Sequence, residues 1–378
     1  MAQELKLNYK LGANVRKIIT LLITALILIT SNAYADMTLE DANKAYSAHN
    51  YAKAIKIYTP LALNGDAIAQ YKLGYIYTYE LGFKYESGLV RDDVEAAKWF
   101  KLAAEQGYEK AQMELGFCFE FGRGVTQDNA EAVKWYRLAA EQGNAGALQW
   151  LAMHYYNGEG VKQDYNEAFK YYKLAAEQGL VWSQSVIGEM YKNGQGVKQD
   201  YTEAIKWFKL ASLQGSTSAQ VFLGFMYGSG EGVTQDNAEA VKWYRLASEQ
   251  GYAIGQYNLG IMYNNGQGVI QDYAEAVKWY RLAAVQGDAY AQSNLGVMYE
   301  RGHGVTQDYI AAHMWYNLAA AKQGHIAEAN RDAVAKKMSA EQVLQAQNFA
   351  KQCLASNYKN CYSTPSKSTN KKAPRVNS

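Results

Sequence analysis

Residues 111–143 read AQMELGFCFEFGRGVTQDNAEAVKWYRLAAEQG. Met113, Leu115, Phe117 and Cys118 fall on one helical stripe. Gly122 to Gln127 interrupts it, because glycine tolerates left-handed backbone and weakens a helix interior. Asp128 restarts a helix: its carboxylate accepts from the free N–H groups of the first turn, and Glu131 three places on is expected to reach back and complete a capping box. The second helix runs through Ala132, Val133, Trp135, Tyr136, Leu138 and Ala139 until Gly143 stops it. Gly116 stands in the middle of the first helix, where it costs up to about 1 kcal/mol relative to Ala. A neighbour must therefore approach too closely for a Cβ. The stretch predicts two antiparallel helices touching along small residues, with Trp135 and Phe119 filling the space between units.

The same sentence is written seven times. Gln-Gly recurs at Gln106, Gln142, Gln178, Gln214, Gln250 and Gln286, always 36 residues apart, and again at Gln323 after 37. Trp99, Trp135, Trp207, Trp243, Trp279 and Trp315 keep that period, with Tyr171 in the missing place. Leu-Gly pairs at Leu115, Leu223, Leu259 and Leu295, and Gly-x-Gly-Val from Gly122 to Gly302, are in phase. The first unit is longer, with an insertion near Tyr79 to Lys84. A lone helical pair cannot bury such surfaces, so the pairs must stack. Only 3 prolines among 378 residues agree with a chain that is mostly helix. The expected fold is all-α, a right-handed superhelical solenoid of antiparallel helix pairs.

Residues 65–323 resemble the Sel-one-like repeat family of tetratricopeptide-like solenoids. The pattern A-x-x-x-L-G-x-x-Y-x-x-G-x-G-V stands at Ala219, Leu223, Gly224, Tyr227, Gly230, Gly232 and Val233. Its continuation D-x-x-x-A-x-x-W-Y-x-x-A-A-x-x-G stands at Asp236, Ala240, Trp243, Tyr244, Ala247 and Gly251, with Ser248 in place of the second alanine. The resemblance implies an adaptor that holds other proteins, of a kind common in bacterial envelopes and secretions. Relatives with a cysteine pair in every repeat imply the alternative of a cell-wall or β-lactam-directed enzyme, and a secreted host-interaction factor is a third reading.

Outside the repeats, residues 1–35 read as a signal peptide. Arg16 and Lys17 precede an apolar run from Ile18 to Ile29, and Ala33-Tyr34-Ala35 supplies the cleavage pattern. The mature chain is expected to start at Asp36, to be exported to the periplasm or beyond, and to carry no membrane span. Residues 36–64 read as a tetratricopeptide-type cap whose second helix Pro60 should kink. Residues 324–362 read as two capping helices, the second opened by a Ser339–Gln342 box. Residues 363–378 carry Lys367, Lys371, Lys372 and Arg375 without an acid and read as a solvated basic tail. An exported chain keeps disulfides, so Cys353 and Cys361 are expected to pair, whereas Cys118 occupies a core position held elsewhere by Met190, Met226, Met262 and Met298.

Charge excludes little beyond nucleic acid. Lys plus Arg number 38 and Asp plus Glu 36, far from a basic excess. No histidine has a partner at metal-ligand spacing, and neither H-E-x-x-H nor G-x-S-x-G occurs. The Gly-x-Gly-Val loops follow helices rather than strands, so they are turns and not phosphate cradles. His154 reads as a satisfied histidine of the core or groove. No catalytic residue, cofactor or metal is expected. What varies between units is the first-helix face: Ile68, Lys110, Gly146, Trp182, Ser218, Ile254 and Tyr290 share one register. First helices line the concave side of such stacks, which binds peptides or partner helices. Trp150, Trp182, Phe222, Tyr257 and Tyr290 are the candidate anchors, and Asn258 and Asn294 the candidate backbone clamps. Glu189 is the only charge at a place otherwise filled by Tyr75, Phe117, Met153, Phe225, Ile261 and Val297.

Overall fold

The computed structural model describes residues 37–80, 90–323, 325–359 and 361, in which every regular element is helical. The expected leader, the basic tail and all but the start of the insertion lie outside the described residues. An N-terminal pair, α1 (Leu39–Ser47) and α2 (Tyr51–Leu63), precedes the repeats, and α2 contains Pro60 yet continues to Leu63. The repeats then alternate first and second helices: α3 (Ala67–Tyr75) and α4 (Asp93–Glu105), α5 (Glu109–Phe121) and α6 (Asn129–Glu141), α7 (Ala145–Asn157) and α8 (Tyr165–Glu177). They continue as α9 (Val181–Asn193) and α10 (Tyr201–Leu213), α11 (Thr217–Ser229) and α12 (Asn237–Glu249), α13 (Ala253–Asn265) and α14 (Tyr273–Ala284), α15 (Ala289–Arg301) and α16 (Tyr309–Gln323). α17 (His325–Ala335) and α18 (Ala340–Ala355) close the chain. A π-helical turn, Ile76–Glu80, extends α3 where the longer first repeat departs from the period. Contacts divide the chain inside α9, after Ser183, into two compact units. Within each, consecutive helices pack in pairs.

Capping works as expected at the aspartates and differently at the glutamates. Asp128 accepts from the Ala130 and Glu131 N–H groups, as Asp164 and Asp272 do from their equivalents. Glu131, however, does not close a box. The Asp128 N–H already donates to the Phe119 carbonyl at 2.8 Å, so Glu131 turns outward to Lys134. The same ion pair recurs as Glu95–Lys98, Glu167–Lys170, Glu203–Lys206, Glu239–Lys242 and Glu275–Lys278. Being exposed, each is worth little. At Ser339 the expected box forms in full, and Thr38 with Asp41 makes another at α1.

The mid-helix glycines meet aromatic rings. A Cβ on Gly224 would lie 2.6 Å from Tyr244 Cε1, and one on Gly296 would lie 2.7 Å from Tyr316 Cδ1. Gly74 faces Phe100, Gly116 faces Tyr136, Gly188 faces Phe208 and Gly260 faces Tyr280 in the same way. The ring on the glycine is thus the residue after the repeat tryptophan; Tyr136 is fully buried while Trp135 is half-buried. Burying a large ring gains about 1.5–3 kcal/mol, more than the roughly 1 kcal/mol that glycine costs the helix. Only the third repeat departs, with Ala152 at the glycine place and Tyr172 still buried. Phe119 and Tyr263, at one register, each touch two successive core clusters, as expected of residues that fill the space between repeats.

The glutamines before the terminal glycines tie the two helices of a repeat together. Gln142 Nε2 donates to Gln112 Oε1 at 2.8 Å, Gln214 to Gln184 at 2.9 Å, Gln250 to Gln220 at 2.8 Å and Gln286 to Gln256 at 2.8 Å. Two of the buried acceptors reach back to the preceding repeat: Gln112 donates to Ala104 O and Gln256 to Ser248 O, in the last turn of the second helix before them. Where Leu148 replaces the acceptor, Gln178 donates to Gly143 O instead. Loops close the other end of each pair. Gly230 ends α11 with φ 77°, and a Cβ on Gly232 would sit 2.9 Å from the Tyr201 carbonyl carbon, so this turn rides directly on the preceding second helix.

The last repeat is covered by its own chain. Met314 and Leu318 are buried on α16, where the matching Lys278 and Leu282 of α14 are exposed. Leu318 shares a cluster with Val334, Ala350 and Cys353 of α17 and α18. Cys353 is disulfide-bonded to Cys361 across a Cα–Cα distance of 4.4 Å, tying the end of α18 to the turn that follows.

Two glycines of one helix test this packing. Gly224→Ala should lower stability by about 1 kcal/mol, overpacking against Tyr244 outweighing the better helix former. Gly228→Ala, whose Cβ would meet only the Ala240 Cβ at 3.6 Å, should raise it by roughly 0.5–1 kcal/mol. Urea midpoints should therefore move in opposite directions; a rise for both would mean that the Tyr244 ring is free to yield.

Candidate partner-binding face

The face of the first helices is built from registers that vary between repeats, some of whose residues also pack against the core. In the first unit, Trp150 on α7 stacks on Tyr136 with ring centroids 6.1 Å apart and meets Phe117 edge-on at 5.1 Å. It is half-buried and belongs to a cluster rather than standing free. Phe121, at a register held by Tyr79 in the first repeat and by Asn157, Asn193, Ser229, Asn265 and Arg301 in the later ones, joins that cluster and stays exposed. An apolar ring in a register that every later repeat fills with a polar residue is its signal in the sequence. Trp182, at the start of α9, leans on Tyr172 at 5.4 Å and keeps 48% of its surface open.

Beneath the first unit's ring cluster lies a buried polar group. His154, fully buried, faces an acceptor from each ring nitrogen: Nε2 lies 3.3 Å from Glu120 Oε2 and Nδ1 lies 2.9 Å from the Glu159 carbonyl. Tyr136 donates its hydroxyl to the same Glu120 oxygen at 2.6 Å. Neither oxygen facing the imidazole can donate to it while Glu120 is ionised, which favours the doubly protonated ring. Burial pushes the His154 pKa down, but the Glu120 carboxylate and the Glu159 carbonyl push harder the other way, so it lies above the ordinary histidine value.

In the second unit, Phe222 stacks on Phe208 at 4.9 Å, so part of this expected anchor is packing. Phe225, one turn on, is exposed. Tyr257 sits between Tyr280 and Tyr290, with centroids 6.2 and 5.9 Å away. Tyr290 is 62% exposed and, with Asp288, Ser293, Asn294 and Ile326, lines a cleft of about 650 Å³. The two asparagines are partly committed to their own chain: Asn258 Nδ2 donates to Ile254 O at 2.8 Å, and Asn294 bonds the Tyr280 hydroxyl. Glu189 on α9 is half-buried, and burial raises its carboxyl pKa against the pull of Lys192.

The candidates therefore separate by unit. Trp150 and Trp182 belong to the first, and Glu189, Phe222, Tyr257, Asn258, Tyr290 and Asn294 to the second. Trp182, Ile254 and Tyr290 share the variable register and are exposed, as is Ile68. Among the described residues no cluster of His, Cys, Asp and Glu is arranged to hold a metal ion, and no helix is long and apolar enough to cross a membrane.

His154 makes one prediction about pH. A raised folded pKa stabilises fully below the unfolded value, and that stability is lost as pH rises through the folded one. His154→Met places there the residue found at Met190 and Met226. Between about pH 5.5 and 8.5, wild type should lose urea resistance relative to this variant as pH rises. His313, whose pKa is lowered by burial and by Arg331, is present in both proteins and cancels. Parallel stability curves would mean that the buried ring does not titrate.

Known proteins fit this geometry. The Sel1 repeat family model matches residues 67–108, 109–144, 145–180, 183–216, 217–252, 253–288 and 289–324. A Sel1 repeat protein from Oxalobacter formigenes is 30% identical, with a TM-score of 0.64, over 80% of this chain and 88% of its own. A protective antigen of uropathogenic Escherichia coli that displays the SLR fold is 26% identical over 80% of this chain and 96% of its own, with a TM-score of 0.46. No curated protein sequence matches significantly. Seven matched units, six of them closed by a glycine on a ring, place the chain in the Sel1 repeat family.

Proposed function

We propose that this chain is a non-enzymatic scaffold, exported to the bacterial envelope, that binds a protein or peptide through the first-helix face of its repeats. Sel1 repeat proteins are generally protein-interaction scaffolds. The observation that carries the reading here is the contrast between registers. Glycine, ring, glutamine and capping aspartate are reused from repeat to repeat, while the register of Ile68, Lys110, Gly146, Trp182, Ser218, Ile254 and Tyr290 changes from each repeat to the next. A fold that needed this register filled in one way would repeat it. Four of the seven are large apolar groups left exposed, the composition of anchors that dominate protein interfaces. Export rests on the Arg16–Ala35 pattern and on the Cys353–Cys361 bond, which an oxidising compartment maintains.

Crosslinking in intact cells, followed by identification of the captured protein and pull-down with purified variants, tests the proposal. Trp182→Ala and Tyr290→Ala should each reduce recovery of the captured partner roughly fivefold or more, the effect of removing an interface anchor. Leu246→Ala, an exposed residue of a second helix, should leave it unchanged. Equal recovery by all three variants would place the binding surface elsewhere.

A further inference from the structure

We propose that Phe117, Phe121, Trp150 and Arg123 form a subsite of the first unit that takes an apolar side chain and a neighbouring aspartate or glutamate of the bound peptide. The inference rests on the first-helix face being the binding surface, and it adds the chemistry of one place on it. The three rings close a triangle: the Phe117 centroid lies 5.9 Å from that of Phe121 and 5.1 Å from that of Trp150, and Phe121 lies 6.0 Å from Trp150. Their floor is fixed. Trp150 stacks on Tyr136, which is buried against Gly116 and donates its hydroxyl to Glu120. Rings held in this way lose little freedom when a ligand lands on them.

Two departures from the repeat meet here. Phe121 brings a ring to a register that later repeats fill with Asn157, Asn193, Ser229, Asn265 and Arg301, and it is 48% exposed. Arg123, two residues on, stands where they carry Glu159, Gln195, Glu231, Gln267 and His303. Its guanidinium carbon lies over the Phe121 ring, 5.2 Å from the centroid. The ring keeps its exposure with the guanidinium in place, so its surface is shared and not covered. A guanidinium over a ring engages it through its flat face and keeps the N–H fork along its edge for a carboxylate.

The unanswered charge at this place is positive. Among the described residues Arg123 makes no ion pair and no side-chain hydrogen bond. Glu114 is near enough to feel it, yet its carboxylate accepts from the Tyr79 hydroxyl at 2.8 Å, and Glu120 faces inward to Tyr136 and His154. Capping does not need the guanidinium either. At the end of α5, Cys118 O accepts from the Gly122 and Arg123 N–H groups, Phe119 O from Asp128 and Glu120 O from Gln127 Nε2. A ligand carboxylate would take the fork with two parallel hydrogen bonds while its apolar neighbour spreads on the rings. The acid belongs to a side chain: a terminal carboxylate is held by free backbone N–H groups, and those of Gly122 and Arg123 are spent on Cys118 O.

Panning a phage-displayed random dodecapeptide library on the full-length protein, with and without counter-selection on Phe121→Asn, then titrating the enriched peptides by fluorescence anisotropy, tests the assignment. Phe121→Asn installs the residue of Asn157, Asn193 and Asn265 and should keep the wild-type thermal transition. Peptides that survive counter-selection should share an aspartate or glutamate beside an aromatic or large aliphatic residue. Replacing that acid with its amide should weaken binding about tenfold or more, and Arg123→Gln should weaken the parent peptide by a similar factor. Made together, the two changes should cost no more than either alone. Surviving peptides that lack an acid, or that bind Arg123→Gln as tightly as wild type, would overturn the subsite. No survivors, from a library that without counter-selection yields peptides weakened by Trp182→Ala or Tyr290→Ala, would overturn the subsite and leave the binding face standing. Failure to enrich any peptide, or affinity indifferent to all these residues, would overturn both.

Discussion

A missing methyl group organises this protein. Because Gly224 has no side chain, the Tyr244 ring lies directly on the backbone of α11, and the same contact recurs at Gly74, Gly116, Gly188, Gly260 and Gly296. The contact sets how closely the two helices of a pair approach. It also sends the aromatic residue inward, where most of its surface is removed from water. Everything else in the repeat serves that spacing. The aspartate caps start the second helix in register, the left-handed glycines end the first, and exposed glutamines tie the two helices of a pair through buried glutamines that reach back to the preceding pair. A scaffold so determined by its repeated residues leaves its remaining registers available for other purposes.

Those registers are used in two ways. Some add local polar links: Glu120 and Glu300 occupy equivalent places five repeats apart, each accepting from the ring hydroxyl of its pair, Tyr136 or Tyr316, and each facing a basic group, His154 in one case and Lys337 in the other. Others remain open. Trp182, Ile254 and Tyr290 stand exposed at a place that no two neighbouring repeats fill alike. The same division explains why the seventh repeat looks different: with Met314 and Leu318 facing outward, it needs α17 and α18 to cover it, and the Cys353–Cys361 bond tethers the end of that cover.

Periodicity made the fold legible because each marker has a mechanical cause that acts locally. The 36-residue period, the helix ends, the small-residue contact and the cysteine pair could all be read without coordinates. Competition between groups could not. Trp135 and Tyr136 both satisfy the helical pattern, and only packing decides that the tyrosine takes the glycine. Glu131 has the right spacing for a box, but the N–H it would need belongs to the Phe119 carbonyl. Asn258 and Asn294 have the right chemistry for a peptide backbone, yet each is partly engaged, one with its own helix and one with Tyr280. The aromatic anchors separate likewise into those held by neighbours, such as Trp150 and Phe222, and those left open, because exposure depends on which ring happens to lie opposite.

If a capped pair closed on a glycine is the true unit, the chain can lose one whole unit and keep its structure. Deleting residues 217–252 joins Ser216 to Ala253 in phase, whereas deleting 217–234 removes half a unit and leaves α12 without its partner. Circular dichroism through a thermal ramp compares the two directly. The account predicts that the 36-residue deletion retains the helical signal per residue and a cooperative transition, while the 18-residue deletion loses both. Equal damage from the two deletions would contradict it.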